Sequence, residues 1–340
     1  MSDTFLYWHF RTFIAWILAV FAGAYFVLTN PDFSTIGNLF ALAQSFSVLL
    51  LVGTGLALVM LIGEFDLSIT ALFPLTGLIA VKLNEAIGVV PGVLVAVLIG
   101  LVFALLNGAL TALLRIPSLA VTIGTMVLGI GLGFFISDGK LVYTKNYQAG
   151  LTLTNPIFGL LSIQSIIELL AVAAASVLVG RTWAGRYLYA VGSDVNRARA
   201  SGMPVTGIVM LAFVVSGLFT AIGGSLQGVA LATGQAGSND SFLLQAATAA
   251  VLGGIALTGG KGNLLGVTGA SLLLAILGNG LSLAGADSAA VQLTNGVLLL
   301  AVVLMYEPLT KLVANRSLRR PRQAHAGNNT QLERNRHVAS

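Results

Sequence analysis

The sequence has no cysteine among its 340 residues, and its three histidines lie near the ends of the chain. Without cysteine, a disulfide framework and a cysteine-based zinc or redox centre are excluded. His9, His325 and His337 lie outside the long apolar part of the sequence, so a buried catalytic histidine is excluded too. We therefore predict no metal site and no catalytic constellation.

Charge is also scarce. Charged residues make up 9% of the chain and hydrophobic residues 56%, with a mean hydropathy of +0.93. A soluble domain carries about a quarter charged residues, so this composition predicts a polytopic membrane protein. The 40 glycines suit closely packed transmembrane helices, because a backbone without Cβ atoms can approach its neighbour. We assign the net charge of +5 to orientation in the membrane and expect no nucleic acid partner.

Apolar segments long enough to cross a bilayer recur along the chain. A span needs about 20 apolar residues to cross ~30 Å of hydrocarbon, and this length predicts an all-α protein with about ten transmembrane helices. The third and eighth spans are short enough to be broken or partly re-entrant. The first is expected to be a retained helix and not a cleaved signal peptide. The predicted spans are 12–28, 38–62, 67–81, 89–114, 118–137, 160–180, 205–231, 242–257, 264–283 and 290–306.

The basic residues orient these spans. With both termini cytoplasmic, every Lys and Arg except Lys82, Lys140 and Lys145 lies on the inner side, whereas the opposite orientation reverses this bias. We therefore predict a transmembrane domain over residues 1–314 with cytoplasmic N and C termini. Residues 315–340 are polar and basic, and we expect a disordered cytoplasmic tail at the lipid surface.

A polar loop over residues 181–204, RTWAGRYLYAVGSDVNRARASGMP, separates two apolar runs. Asp194 is placed to cap a short helix, and Gly202 followed by Pro204 is placed to end it. We predict a two-turn helix parallel to the membrane that forms a cytoplasmic docking surface for a soluble partner. Its arginines would make charge-assisted contacts there, or alternatively only orient the chain or bind anionic lipid. They are Arg181, Arg186, Arg197 and Arg199.

A phosphate-binding loop requires Gly, four residues and then Gly-Lys-Ser/Thr. The nearest stretch is GGIALTGGKGN over residues 253–263, and it fails because Ile255 stands where the first glycine is needed and Gly262 follows Lys261. We interpret it as a glycine-rich turn between helices. The chain is therefore not expected to hydrolyse ATP by itself.

Ionisable groups that could couple transport to an ion gradient are few. Glu64 and Asp66 lie at a junction between spans, and Asp287 lies at an outer turn. Glu168 is the acid well inside an apolar run, where a neutral or hydrogen-bonded carboxyl is the favoured interpretation. Since no relay of acids and histidines is visible, a proton-driven carrier has weak support.

Three regions of the sequence resemble one known family. FDLSITALFPLTG, over 65–77, is similar to the Asp-Leu-Ser signature of bacterial sugar permeases and contains Asp66, Leu67 and Ser68. GRYLYAVGSDVNRARASGM, over 185–203, resembles the cytoplasmic coupling segment of that family, and AAVLGGIALTGGKGNLLGVTGASLL with LGNGLSLAG resembles its last third. The family comprises membrane subunits of ATP-binding-cassette importers for ribose, xylose, arabinose, galactosides, polyols and quorum signals.

The resemblance implies a non-catalytic, multi-pass permease of the bacterial inner membrane. It would receive a sugar or sugar-like solute, such as a pentose, a hexose, a polyol or a related signal molecule, from a periplasmic binding protein. A separate ATPase subunit would use ATP and Mg²⁺, this chain would bind no cofactor, and a second copy or a sister permease would complete the path. The residues implied in ATPase coupling are Arg186, Asp194, Asn196, Arg197, Arg199, Ser201 and Gly202.

The chain departs from the family pattern in two places. Glu64 and Phe65 stand where small apolar residues usually precede the Asp-Leu-Ser element. In the 181–204 loop, the stretch from Val195 to Arg197 stands where relatives carry one or two glutamates. We therefore expect the docking surface of the ATPase to be unusually acidic.

Polar residues inside spans are candidates for the translocation path, because sugar hydroxyls need amide and hydroxyl partners. An interhelical hydrogen bond is the alternative role for each. The segment over 233–245, TGQAGSNDSFLLQ, is polar and flexible, and Asn239 or Asp240 is placed to cap the helix that follows. The resemblance implies that it belongs to an outer gate with Gln235, Asn239 and Asp240, and an ordinary solvated loop is the alternative. The path candidates are Gln44, Ser45, Asn107, Thr122, Gln245, Asn279 and Gln292.

A second function remains open at this point. A stand-alone secondary carrier or channel for small neutral solutes would need protonation of Glu64, Asp66 or Glu168.

Overall fold

A computed structural model describes residues 3–318, with side chains described for residues 12–304. The described chain is almost entirely helical. A 3-10 turn covers Pro31–Ser34, and strands β1 (Val142–Tyr143) and β2 (Thr233–Gly234) pair antiparallel. The α-helices are α1 (Asp3–Thr29), α2 (Ile36–Leu61), α3 (Ile69–Ile87), α4 (Val89–Ala112), α5 (Ser118–Ser137), α6 (Tyr147–Thr154), α7 (Ile163–Arg181), α8 (Trp183–Ser193), α9 (Val195–Ala200), α10 (Val205–Leu231), α11 (Asp240–Leu252), α12 (Leu264–Leu283) and α13 (Ser288–Leu318).

Counted over the described residues alone, eight helices are long and apolar enough to cross a membrane, namely α1, α2, α3, α4, α5, α7, α10 and α12. The prediction of an all-α polytopic membrane protein is therefore confirmed. The bounds of α10 and α12 coincide with the predicted spans. The described apolar part of α13 covers Ser288–Leu304.

The eighth predicted span, 242–257, is a partial span. Helix α11 has 13 residues and ends at Leu252, so it is about 20 Å long and does not reach across ~30 Å of hydrocarbon. It ends there because Gly254 takes φ +94° and Ile255 N donates to Ala250 O (3.0 Å), which is a glycine stop of the Schellman type. The preceding Gly253 packs on the start of α12, where a Cβ would lie 2.6 Å from the Gly266 carbonyl carbon. The helix predicted up to residue 257 is therefore wrong beyond Leu252.

Helix α13 continues through Leu318, beyond residue 314, where the predicted transmembrane domain ends. The domain boundary stays a prediction. The rest of the predicted tail, 319–340, lies outside the described residues.

The bundle has two ends of different character. At one end Gly260 N donates to Leu61 O (2.7 Å), so the turn between α11 and α12 meets the end of α2. Trp16 of α1 donates to Leu265 O there (3.0 Å), which places the start of α1 at the same end as α8 and α9. At the other end β1 pairs with β2. Following the predicted charge orientation, we call them the inner and outer ends.

Helix α10 lies at the centre and packs on α2, α3 and α4. Its contact with α3 depends on glycine: a Cβ on Gly77 would lie 2.8 Å from Gly224 O, and one on Gly228 would lie 2.7 Å from the Gly77 Cα. Backbones at this separation leave no room for side chains. The high glycine content therefore serves close helix packing, as the composition predicts.

Candidate functional site

A cavity of about 650 Å³ lies toward the outer end, between α2, α3, α10 and the 233–245 segment. No charged side chain lines it among the described residues. Phe73 and Phe242 contribute an aromatic wall, with ring centroids 4.7 Å apart and planes tilted by 43°. Its polar side chains include Gln44, Ser45, Gln227, Thr233, Gln235, Ser238, Asn239 and Gln245.

A backbone hydrogen bond, made possible by a proline in α3, attaches the 233–245 segment to that helix. Pro74 lies inside α3 and has no N–H, so the carbonyl of Thr70 lacks its usual intrahelical partner. The backbone N–H of Asn239 donates to that carbonyl at 2.9 Å. The Asn239 side chain accepts from Phe242 N (3.3 Å) and caps α11, as one of the two predicted caps. One wall of the cavity is thereby attached to another.

The gate residues are placed as follows. Gln235 and Asn239 line the cavity, while Asp240 is exposed as the first residue of α11. Gly234 is buried, and a Cβ there would lie 2.6 Å from Leu78 Cα. With β2 also paired to β1, the segment is packed against α3 and is not an ordinary solvated loop. Its gating role stays a prediction.

Three of the seven path candidates, Gln44, Ser45 and Gln245, line the cavity. The other four do not line it. Asn38 and Asn279 exchange side-chain hydrogen bonds of 2.9 and 2.7 Å, which join α2 to α12. The Thr122 hydroxyl donates to Ser118 O (2.8 Å), and Gln292 is exposed on α13.

Asn107 is the fourth candidate outside the cavity, and it belongs to a buried cluster nearer the inner end. Its Nδ2 donates to Ser68 Oγ (2.8 Å), and its Oδ1 accepts from the Thr125 hydroxyl (2.7 Å). Both polar atoms are therefore bonded to protein, and the side chain is 1% exposed. The interhelical hydrogen bond, and not the cavity lining, is its role in this structure.

The Asp-Leu-Ser signature anchors the same cluster. Asp66 is buried, and its Oδ1 accepts from Ser68 N (3.0 Å) and Ser68 Oγ (2.6 Å). Its Oδ2 accepts from Ser216 Oγ of α10 (3.1 Å), and Leu67 packs against the main hydrophobic core. A buried carboxyl is tolerated where hydrogen bonds replace its hydration. Ser68 and Ser216 donate directly to Asp66, while Thr125 donates to Asn107 and Asn107 to Ser68, so the cluster joins the start of α3 to α4, α5 and α10.

A second buried acid lies behind the cavity wall. Glu168 of α7 accepts from Ser47 Oγ of α2 (2.6 Å) and from Gln164 Nε2 (3.1 Å). The expected hydrogen-bonded carboxyl is thus confirmed. Gln164 also donates to Gln227 Oε1 at 3.1 Å, so the cluster reaches a residue that lines the cavity. Gln164 was not among the residues predicted from the sequence. Its spacing of four residues from Glu168 would have indicated the contact, because such residues are neighbours on a helix.

The 181–204 loop folds into two helices and not the single predicted one. Asp194 caps α9, because its Oδ1 accepts from Asn196 N and Arg197 N, both at 3.0 Å, and its Oδ2 lies 3.0 Å from Arg197 Nε. Helix α9 has six residues and is followed by Gly202 with φ +74°, so the predicted cap and stop are confirmed. The additional helix is α8. The exposed residues of the loop include Arg186, Asn196, Arg197, Arg199, Ser201 and Gly202.

The 253–263 stretch is a turn between α11 and α12, as interpreted, but it also contacts the 181–204 loop. The Tyr189 hydroxyl of α8 donates to Gly262 O (3.0 Å), and burial raises the pKa of Tyr189. A Cβ on Gly192 would collide with Leu61 O and lie 2.5 Å from Gly260 N. The end of α2, the end of α8 and this turn therefore meet backbone to backbone. Sequence reasoning missed this contact.

An all-helical membrane protein with an uncharged cavity toward one end and an exposed basic helical loop at the other belongs to the class of transport permeases. Within the described residues, no group of three or more His, Asp or Glu side chains could hold a metal ion.

Residues 38–305 match the family described as "Branched-chain amino acid transport system / permease component", and the chain belongs to it. It is similar to the ribose import permease protein RbsC of Escherichia coli K12, with 31% identity over 288 residues that cover 81% of this chain and 87% of the relative. The L-arabinose transport system permease protein AraH of the same organism is 31% identical over 284 residues, 81% and 84% of the two chains. The Bacillus subtilis RbsC is 30% identical over 280 residues, 82% and 87%. No solved structure gives a significant match.

The predicted permease family is thereby confirmed, and with it a multi-pass protein of the inner membrane.

Proposed function

We propose that this chain is the permease subunit of an ATP-binding-cassette importer for a neutral, polyhydroxylated solute of the sugar class. The observation that carries the solute class is the cavity, which combines amide and hydroxyl side chains with an aromatic wall. An amino acid carries two charges that would need charged partners once water is removed, and no charged side chain of the described residues lines this cavity. The relatives named for ribose and L-arabinose import support the same class.

The partners follow from the two ends of the bundle. The exposed arginines of the 181–204 loop suit contact with a separate ATPase subunit that uses ATP and Mg²⁺. The cavity toward the outer end suits delivery by a periplasmic binding protein. A second copy or a sister permease would complete the path. This chain itself would then be non-catalytic and would bind no cofactor.

The experiment that tests the solute class is uptake by the complex reconstituted in vesicles with its ATPase and binding protein. D-ribose or L-arabinose should enter, and leucine should not. Uptake of leucine without uptake of any sugar would overturn the proposal.

The energy source gives a separate prediction. Uptake should follow ATP supplied on the inner face and should ignore collapse of the proton gradient, because the side chains that bond Glu168 are Ser47 and Gln164, neither of which is an acid or a histidine. Glu168→Gln should keep this ATP dependence. The measurement is uptake at constant ATP with and without a protonophore, and loss of uptake with the protonophore would favour the secondary carrier.

The stop signal of α9 gives another prediction. Gly202 has φ +74°, where a β-branched residue costs about 1–3 kcal/mol, so Gly202→Val should reduce ATP-driven uptake about tenfold while the protein still inserts in the membrane. Gly207→Val is the matched control, since Gly207 lies in α10 with nothing within 4 Å of a Cβ. Normal uptake by the Gly202 variant would show that the loop conformation is unimportant.

A further inference from the structure

The cluster around Glu168 has no part in the proposed function so far. Glu168 is fully buried, and both of its carboxyl oxygens accept hydrogen bonds, Oε2 from Ser47 Oγ and Oε1 from Gln164 Nε2. A carboxyl oxygen that accepts must face a donor, so the NH₂ group of Gln164 is turned toward Glu168. Glu168 thereby fixes the orientation of the Gln164 amide, with its NH₂ group toward Glu168 and its oxygen away from it.

This orientation is transmitted to the cavity. The same NH₂ group of Gln164 donates to Gln227 Oε1 (3.1 Å), and Gln227 lines the cavity. Because the side-chain oxygen of Gln227 accepts this bond, its NH₂ group is available to a solute. None of the described residues accepts a hydrogen bond from that NH₂ group. Gln44 is arranged alike, because its Oε1 accepts from Ser162 Oγ (2.8 Å) and it also lines the cavity.

One unsatisfied atom indicates that the orientation is imposed on Gln164. Its Oε1 is buried and has no hydrogen-bond partner. A buried amide oxygen without a partner is unfavourable, so the amide of Gln164 would turn over if Glu168 offered a donor in place of an acceptor. Gln227 would then be free to present its oxygen to the cavity.

We propose that Glu168 is a positioning residue that sets solute specificity: through Gln164 it turns the amide of Gln227 so that the cavity offers an N–H donor to an acceptor oxygen of the solute. This inference rests on the proposed function. It predicts that the permease discriminates between a sugar and the analogue that lacks one hydroxyl, because the donor would lose its partner.

The test compares uptake of D-ribose and 2-deoxy-D-ribose by the reconstituted complex, with the binding protein saturated by each sugar in turn. Glu168→Gln keeps the size of the side chain but supplies an NH₂ group toward Gln164. The ratio of the two uptake rates should fall about tenfold, equivalent to about 1.4 kcal/mol. Basal ATPase activity of the folded complex should stay close to that of the original protein, whereas a purely structural role would lower the midpoint of thermal unfolding and leave the ratio unchanged.

Two further variants complete the test. Gln164→Leu breaks the same link with Glu168 left in place and should lower the ratio equally, so it serves if the Glu168 variant does not fold. Gln227→Met removes the cavity donor, and in that background Glu168→Gln should have no additional effect on the ratio. If both Glu168→Gln and Gln164→Leu still transport D-ribose and leave the ratio unchanged, the proposed role of Glu168 is overturned and the proposed function is not. Transport of leucine and of no sugar would instead overturn the proposed function.

Discussion

Gly192→Ala is expected to reduce ATP-driven uptake by at least about tenfold. The added Cβ would collide with Leu61 O and lie 2.5 Å from Gly260 N, so α8 would have to move away from both α2 and the 253–263 turn. Overpacking of this kind costs about 1–3 kcal/mol, and each 1.4 kcal/mol is a factor of ten. Because the 181–204 loop reaches the rest of the bundle here, its movement should no longer be passed on to α2.

The measurement is uptake together with ATPase activity of the assembled complex, since an uncoupled complex would hydrolyse ATP without transport. Gly180→Ala is the matched control, because a Cβ on Gly180 has nothing within 4 Å and the residue lies on the neighbouring helix α7. Full uptake by the Gly192 variant would contradict the claim that backbone contact at this point carries the coupling.

Asp66→Asn should lower stability by about 2–3 kcal/mol. The change replaces one accepting oxygen with a donor that faces Ser68 or Ser216, and so leaves buried hydroxyl and amide donors without an acceptor. For a chain of this size the midpoint of thermal unfolding should fall by about 3–4 °C. Unfolding of the purified protein in detergent micelles measures the shift.

Asp287→Asn is the control for Asp66→Asn. Asp287 is exposed and caps the start of α13, where its Oδ1 accepts from Ala290 N at 2.8 Å. Asparagine caps a helix as well as aspartate does, so this variant should unfold at the original temperature. Equal midpoints for the two variants would mean that the Asp66 cluster does not stabilise the bundle.

Much of the fold could be predicted because its signals are local. The bounds of α10 follow from an apolar run that begins after Pro204, and the caps at Asp194 and Asn239 follow from side chains that bond their own following N–H groups. The end of α11 has a local signal as well, because Gly254 takes φ +94° and stops the helix, although the prediction ran on to residue 257. The close packing of Gly253 on the start of α12 could not be predicted, since that contact depends on the tertiary fold.

The site was less predictable than the fold, for the same physical reason. Asn107 and Asn279 are amides on apolar helices, as Gln44 and Gln245 are, and no local pattern separates a side chain that faces a cavity from one that bonds to another helix. Asn279 finds its partner 241 positions away, in Asn38. The path from Glu168 to Gln227 likewise joins two helices that are distant in sequence. Only the packing of α7 on α10 and α2 reveals which amides are free.

Because of Pro74, one backbone amide can be used to measure how often the cavity wall opens. Because the proline offers no competing N–H to the Thr70 carbonyl, the amide proton of Asn239 is protected only while the 233–245 segment lies on α3. Its exchange with deuterium therefore requires that the wall come away, and the exchange rate converts directly into the free energy of that opening. A single backbone amide would thus report, without any label, how often the cavity loosens in the resting protein and how far a bound solute or the partner subunits slow that motion.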